Sequence, residues 1–436
     1  MITKIGIRRE DINKWEKRVP LIPSHARELA ERHGLDVRVQ SSNIRVFTDE
    51  DYRLAGVSVG EDLSPCSLVL ALKEIPIERL ERDKIYAFFS HTAKGQSHNM
   101  PMLKKMMEMG CSIIDYEKMV DDRGQRVLFF GNYAGHAGMI DTLWALGRRL
   151  DLEGISNPFT TLNLTHCYGS LVDAKEAVGK VSWEIIRKGL PRGLSPMIFG
   201  FLGYGHVSQG AQEILNILPA ESIRPRDIPG LFESSGDWSR TVFKAVFKEE
   251  DMVAPRFPGT PFKLQDYYDN PQKYRPVVEN LIPYLTALIN CVYWTPKYPK
   301  FVTKAFLKGL YGGETPPRLR IIGDITCDID GSIESTVQAT DPENPVYVYD
   351  LGEEKPVMGV KGRGPVVLAV YNFPAELPLE SSTYFSGGLK EYVPAIAQAN
   401  FHRAFADCGL PDVVRRAVIL YHGELTPDYS YLSRFL

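Results

Sequence analysis

The stretch that decides the fold is "MIFGFLGYGHVSQGAQEIL", residues 197–215. An apolar run suited to a buried strand leads into Gly203-Tyr204-Gly205, and a segment with helical spacing follows. Strand, tight glycine turn and helix, in that order, let the backbone approach a pyrophosphate while a helix N-terminus faces the anion. The third glycine of the usual spacing is replaced by Ser208, a residue small enough to let helix and strand come together. The reading is a dinucleotide site on Gly203, Tyr204, Gly205, His206, Val207 and Ser208. A purely structural turn is the alternative.

In such a site the next strand presents the residue that meets the adenosine ribose. It is expected to end near 220–224, in "LPAESIRPRD". Glu221 could bind a 2′-hydroxyl, while Arg224 or Arg226 could meet a 2′-phosphate. Two arginines in this loop favour NADPH, with NADH as the alternative, and solvated surface arginines are the plain reading.

Upstream, "KIGIRRE" and "DVRVQ" read as strands separated by the helical "HARELAERHG". "LVLALKE", "IYAFFSH" and "CSIIDYE" read as further strands, with helical spacing in "MPMLKKMMEMG". Strands alternating with helices predict an α/β protein with parallel sheets covered on both faces. "GHAGMIDTLWALGRRLDLEG" reads as a long helix leaving this first unit, and strand and helix patterns resume from about 340. The 436 residues suit two domains.

The charge balance of 51 Lys plus Arg against 54 Asp plus Glu, a net of −3, gives no reason to expect nucleic acid or an anionic membrane as partner. The six cysteines are dispersed with no C-x-x-C pair, which fits reduced thiols better than a disulfide framework. With no signal-like h-region and no apolar run long enough for a span, the expected compartment is the cytoplasm. The histidines show no metal-binding spacing, so no metal is expected.

Two neighbouring core-type strands end in titratable groups: "LVLAL" in Lys73 and Glu74, "IYAFF" in Ser90 and His91. In a parallel sheet the strand C-termini line the ligand crevice, so Lys73 and His91 are candidate acid–base groups. The bland reading is a solvated lysine and a histidine capping the following helix. Asp324, closing the apolar run in "IIGDITCD", is placed with the cofactor-binding set and could pair with a lysine or arginine.

"RREDINKWEKRVPLIPSH", "LALKEIP", "YAFFSHTAKGQ", "IDYEKMVDDRGQRV", "NYAGHAGMI", "GYGHVSQGAQEI", "LINCVYW", "GDITCDIDGSIE" and "NFPAELPLESSTYFS" occur in that order. Together they resemble the lysine–2-oxoglutarate reductase domain of aminoadipic semialdehyde synthase. They are similar, more distantly, to lysine-forming saccharopine dehydrogenase and to alanine dehydrogenase. The resemblance implies two Rossmann-like domains with the active site in the cleft between them. The substrate domain would be discontinuous, over 1–134 and 340–436, and 135–339 would carry the dinucleotide. It further implies condensation of L-lysine with 2-oxoglutarate and reduction of the imine to saccharopine, with Lys73 and His91 as the acid–base pair. Arg18 and Arg126 match carboxylate-binding arginines, and Glu16, Glu117 and Lys94 are the remaining substrate-binding candidates. Since the chain stops at Leu436, a free-standing reductase is expected, with a separate saccharopine-oxidising enzyme as a conceivable partner. The alternatives are an NAD-dependent dehydrogenase of the same fold and a nucleotide-binding sensor without catalysis.

Overall fold

A computed structural model describes residues 2–436. The chain first lays down β1 (Lys4–Ile7), β2 (Asp36–Gln40), β3 (Ser58–Gly60), β4 (Leu68–Leu70), β5 (Ile85–Phe88) and β6 (Ser112–Asp115). A second group follows: β7 (Met197–Leu202), β8 (Ala220–Ile223), β9 (Val242–Phe247), the small pair β10 (Val253–Pro255) and β11 (Tyr274–Pro276), then β12 (Ala287–Asn290) and β13 (Ile321–Asp324). It continues through β14 (Val346–Asp350), β15 (Lys355–Met358) and β16 (Val366–Leu368). Finally β17 (Val418–Tyr421) and β18 (Glu424–Leu425) rejoin the first sheet.

Two eight-stranded sheets result, ordered β18-β17-β6-β5-β4-β1-β2-β3 and β15-β14-β16-β13-β12-β7-β9-β8. Pairing is parallel except where β17 meets β6 and β18, and where β14 meets β15 and β16. Each sheet is covered on both faces, which is why its central strands read as unbroken apolar runs. In the first sheet Leu68 and Leu70 enter one core while Val69 enters another. In the second, Met197, Phe199 and Phe201 face one core while Ile198 and Leu202 face the opposite one.

Two compact units follow the two sheets. One runs to Phe130 and resumes over Pro378–Leu436, and the other is Gly131–Leu377. The expected return at 340 is displaced to Pro378. The strands from Val346 to Leu368 join the second sheet, where β16 pairs in parallel with β13. Local periodicity identifies those strands but carries no information about which edge they pair with.

The long helix Gly131–Leu152 packs within the second unit against the helix His206–Leu215. A Cβ on Gly135 would lie 2.0 Å from the Val207 carbonyl oxygen, and one on Gly210 would lie 2.1 Å from that of Asn132. Only hydrogen in place of a side chain allows the two backbones this approach. Ser208, expected to permit close packing, is itself fully buried and accepts a hydrogen bond from Gln212 Nε2 at 2.9 Å.

Candidate functional site

In the first unit, β6, β5, β4 and β1 are consecutive neighbours. Each delivers titratable or hydroxyl groups at or just beyond its C-terminal end. Lys73 and Glu74 follow β4, Ser90 and His91 follow β5, Asp115 closes β6, and Glu10 follows β1. The structure therefore brings Lys73 and His91 to one edge of one sheet, together with three carboxylates.

Glu10 holds the Lys73 segment in place. Its carboxylate accepts from the backbone N–H of Leu72 at 2.7 Å and of Lys73 at 3.1 Å. Burial and the neighbouring Glu16 push the Glu10 carboxyl up to about 7, outweighing those hydrogen bonds and Arg8. Lys73 is pulled below its ordinary value, chiefly by burial and then by the like charge of Arg18, against Glu16, Glu74 and Glu10. An amine lowered in this way gives up and takes back a proton more readily near neutral pH than a solvated lysine does.

His91 adopts left-handed backbone, φ 49°, and its Nδ1 lies 2.5 Å from Glu74 Oε1. Donation from Nδ1 to that carboxylate leaves Nε2 as the basic position of the neutral ring. Burial works to raise the Glu74 carboxyl, but the hydrogen bond and charge of His91 prevail and its value is lowered. Asn99 Nδ2 donates to the His91 carbonyl at 3.2 Å, fixing the loop from the other side. At the next strand end Ser90 Oγ donates to Asp115 Oδ2 at 2.5 Å. Burial raises the Asp115 carboxyl to about 6 in spite of that bond.

Arg18 and Glu16 form a buried bidentate pair, with Nε to Oε1 and Nη2 to Oε2 both at 2.7 Å. The Arg18 guanidinium also lies 4.3 Å from the centre of the Phe130 ring. The segment that carries it is pinned by Ser382 and Ser386, whose Oγ atoms accept from the N–H groups of Val19 and Ile22. Arg126 is paired with Glu117 on an exposed loop, and Lys94 is exposed after β5.

In the second unit the glycine turn has the expected form. Gly203 is left-handed, φ 86°, and a Cβ there would lie 3.1 Å from Val292. Gly205 is the N-cap of the following helix and offers no side chain to its first N–H groups. Tyr204, Gly205 and His206 are exposed at the turn, and Val207 is partly buried behind it. A cavity of about 320 Å³ opens onto this turn, walled by aromatic residues that include Tyr268, Trp294 and Tyr298. Uncapped backbone donors beside an aromatic-walled space fit a dinucleotide, with the turn for the pyrophosphate and the walls for the adenine.

Three expectations meet a different arrangement. On this side of β7 the neighbouring strand is β9, and β8 is the outer edge, so Glu221, within β8, and Arg224 and Arg226, just after it, belong to a strand one place removed from the glycine turn. Glu221 and Arg226 are exposed, and Arg224 is ion-paired with Asp227. Asp324 is buried among neutral donors, accepting from Asn290 at 2.8 Å, Thr326 at 2.8 Å and Thr336 at 2.6 Å, where a cationic partner was expected. Burial raises its carboxyl against these bonds.

Glu10 and Asp115 were absent from the sequence-derived set. The signal was present: "KIGIRRE" and "CSIIDYE" end in charged residues in the same way as the β4 and β5 runs. What the pattern lacks is that the four strands are neighbours.

Residues 6–137 match the family described as alanine dehydrogenase/PNT, N-terminal domain. The chain is 38% identical, over 99% of its length, to alpha-aminoadipic semialdehyde synthase of Arabidopsis thaliana, and covers 41% of that protein. It is 35% identical to the mitochondrial alpha-aminoadipic semialdehyde synthase of Mus musculus, of which it covers 47%. The chain thus spans less than half the length of these relatives. A saccharopine dehydrogenase [NAD(+), L-lysine-forming] of Neurospora crassa is 26% identical over 87% of the chain and 88% of its own length. Among solved structures, an L-alanine dehydrogenase superposes with a TM-score of 0.61 over 99% of this chain and 98% of its own, at 17% identity. That similarity shows the shared two-sheet α/β fold.

Proposed function

We propose that the chain is a nicotinamide-dinucleotide-dependent lysine–2-oxoglutarate reductase, an oxidoreductase that forms saccharopine. The observation that carries this reading is the adjacency of Lys73 and the His91–Glu74 pair at neighbouring strand ends, on a chain similar along its length to semialdehyde synthases. The ε-amine of lysine adds to the ketone of 2-oxoglutarate, the carbinolamine loses water, and the imine is reduced. A pyridine nucleotide, held by Gly203, Gly205 and the N-terminus of the His206–Leu215 helix, supplies the hydride when bound.

The protein's own groups move the protons. Lys73, with its lowered affinity for a proton, takes one from the substrate ammonium and returns one to the carbinolamine hydroxyl, so that water leaves instead of hydroxide. His91, oriented by Glu74, exchanges protons at Nε2. Glu10 fixes the backbone of Lys73 and is a positioning residue. Arg18 and Arg126 serve the substrate carboxylates. Each now holds a glutamate, Glu16 or Glu117, as a carboxylate does in a bidentate or charge-assisted bond. Lys94 adds positive charge in the same loop as His91.

The same residues would run the reverse, lysine-forming reaction, and the Neurospora crassa relative keeps that second reading in play. An NADPH preference would rest on Arg226, whose charge is felt at Asp251. A cytoplasmic location and association with a saccharopine-oxidising enzyme belong to the same proposal. Among the described residues no helix is long and apolar enough to cross a membrane.

The test is oxidation of reduced dinucleotide with 2-oxoglutarate, with and without L-lysine. Lysine-dependent oxidation with saccharopine as product is expected. Oxidation with a different amine moves the substrate assignment, and binding without any turnover leaves the sensor reading in its place.

A further inference from the structure

The helix Leu171–Lys188 of the second unit turns one face to the core and the opposite face to solvent. Leu171, Ala174, Val178, Val181 and Ile185 enter the core, at the spacing an amphipathic helix requires. The outward face is apolar where solvated charges are usual: Val172 is 63% exposed, Trp183 58% and Ile186 54%. With Glu176 and Gly179 these residues fall at alternating intervals of four and three, the spacing of a seam between two helices. Among the described residues nothing lies within 4 Å of a side-chain carbon placed on Gly179. The glycine thus leaves an open notch, and Trp183 stands one turn further along the same depression, with the Arg187 guanidinium 4.6 Å from its ring centre. Glycine weakens a helix interior, and no atom of this chain packs into the space it leaves here.

We propose that this face is an interface between two copies of the chain, packed antiparallel about a twofold axis, with Trp183 of each copy filling the notch above Gly179 of the other. The axis then passes at the level of Val181, so that Gly179 meets Trp183 and Glu176 comes level with Ile186. The charges select this direction. The first turn of the helix is acidic, with Asp173, and the last is basic, with Arg187 and Lys188. Antiparallel packing sets each acidic end beside the basic end of the other copy and opposes the two helix dipoles, whereas parallel packing would set like charge against like. Lys180 approaches its own copy across the axis, with Glu176 and Glu184 one turn to either side to offset the charge. A tryptophan seated in a complementary notch at the centre of the contact is the kind of anchor that dominates association. A single pair of helices lies toward the small end of stable interfaces, on the order of 1,200 Å² in total, so a reversible dimer is expected.

Sedimentation equilibrium of the full chain across the micromolar range tests this, and a reversible association of 49.1 kDa chains into dimers is expected. Gly179→Leu fills the notch without touching the chain's own atoms and favours the helix. Its melting temperature should hold or rise while the association is lost, so misfolding does not imitate the result. Trp183→Ala should raise the dissociation constant about thirtyfold or more, as removal of a central aromatic anchor does. The direction is read by cross-linking in a Cys167→Ser background, because Cys167 is exposed. Glu176→Cys mixed with Ile186→Cys should give a disulfide-linked dimer on oxidation that neither gives alone. A monomer throughout the range overturns the proposal, and so does an assembly whose mass Gly179→Leu leaves unchanged. Cross-linking by each cysteine variant alone and not by the mixture overturns the antiparallel arrangement.

Discussion

The C-terminal edges of the two sheets differ in chemistry although the sheets share strand number, predominantly parallel pairing and two-sided burial. In the first unit, four adjacent strands deliver His91 together with Glu10, Lys73, Glu74 and Asp115, four groups whose protonation is shifted by burial and mutual charge. In the second, the central strands deliver a glycine turn, neutral amides and hydroxyls around Asp324, and aromatic walls. One edge is arranged to move protons and the other to present backbone and flat apolar faces. The difference shows that the architecture sets only where a ligand can lie, and the residue types at the strand ends set what is done to it.

The sharpest way to break this comparison is Lys73→Met. It should lower the rate about a thousandfold, within the span expected for an acid–base group, while dinucleotide affinity stays as it was. An equal loss of affinity would mean that the two edges do not divide the work. Next is Gly135→Val, which forces side-chain atoms onto the Val207 backbone. A loss of about 2–3 kcal/mol in stability is expected by denaturant unfolding, with weakened dinucleotide binding, because the helix behind the glycine turn must shift. Glu74→Gln is milder. It keeps the shape but removes the charge facing His91 Nδ1, and about a tenfold fall in rate is expected. Because the Glu74 charge works to raise Lys73, the limb of the pH–rate profile set by that amine should move to lower pH.

The smallest effect is Glu10→Gln on stability as a function of pH. The Glu10 carboxyl rises from 4.5 to about 7 on folding, so the folded chain holds that proton more tightly than the unfolded chain. Its contribution is fully present below 4.5 and is lost as pH rises through about 7. Glutamine cannot lose a proton, so the melting temperature of the variant should improve relative to the unaltered chain across that interval. A constant difference at all pH values would show that Glu10 is not the buried, proton-holding carboxyl described here.

Much of this was legible locally. The apolar runs ending in Lys73 and His91, the glycine turn after Leu202 and the helix ending at Gly34 each follow from a few neighbouring residues. Glu10 escaped because its partners, the N–H groups of Leu72 and Lys73, are more than sixty residues away in sequence. The place of β9 escaped for a related reason. The strand following the glycine-turn helix in sequence is β8, and nothing local shows that β9 returns to pair between it and β7.

By itself the sequence determined the alternation of strand and helix, the doubly covered sheets, the glycine turn and the presence of Lys73 and His91 at strand ends. Side-chain periodicity and turn chemistry act over a few residues and do not depend on what packs alongside. The tertiary structure alone decided which strands are neighbours, and so which carboxylates surround Lys73, where the chain passes back to its first unit at Pro378, and whether β8 or β9 lies against β7. Strand order is chosen by burial of both faces across the whole unit, a sum over distant residues that no short stretch of sequence contains.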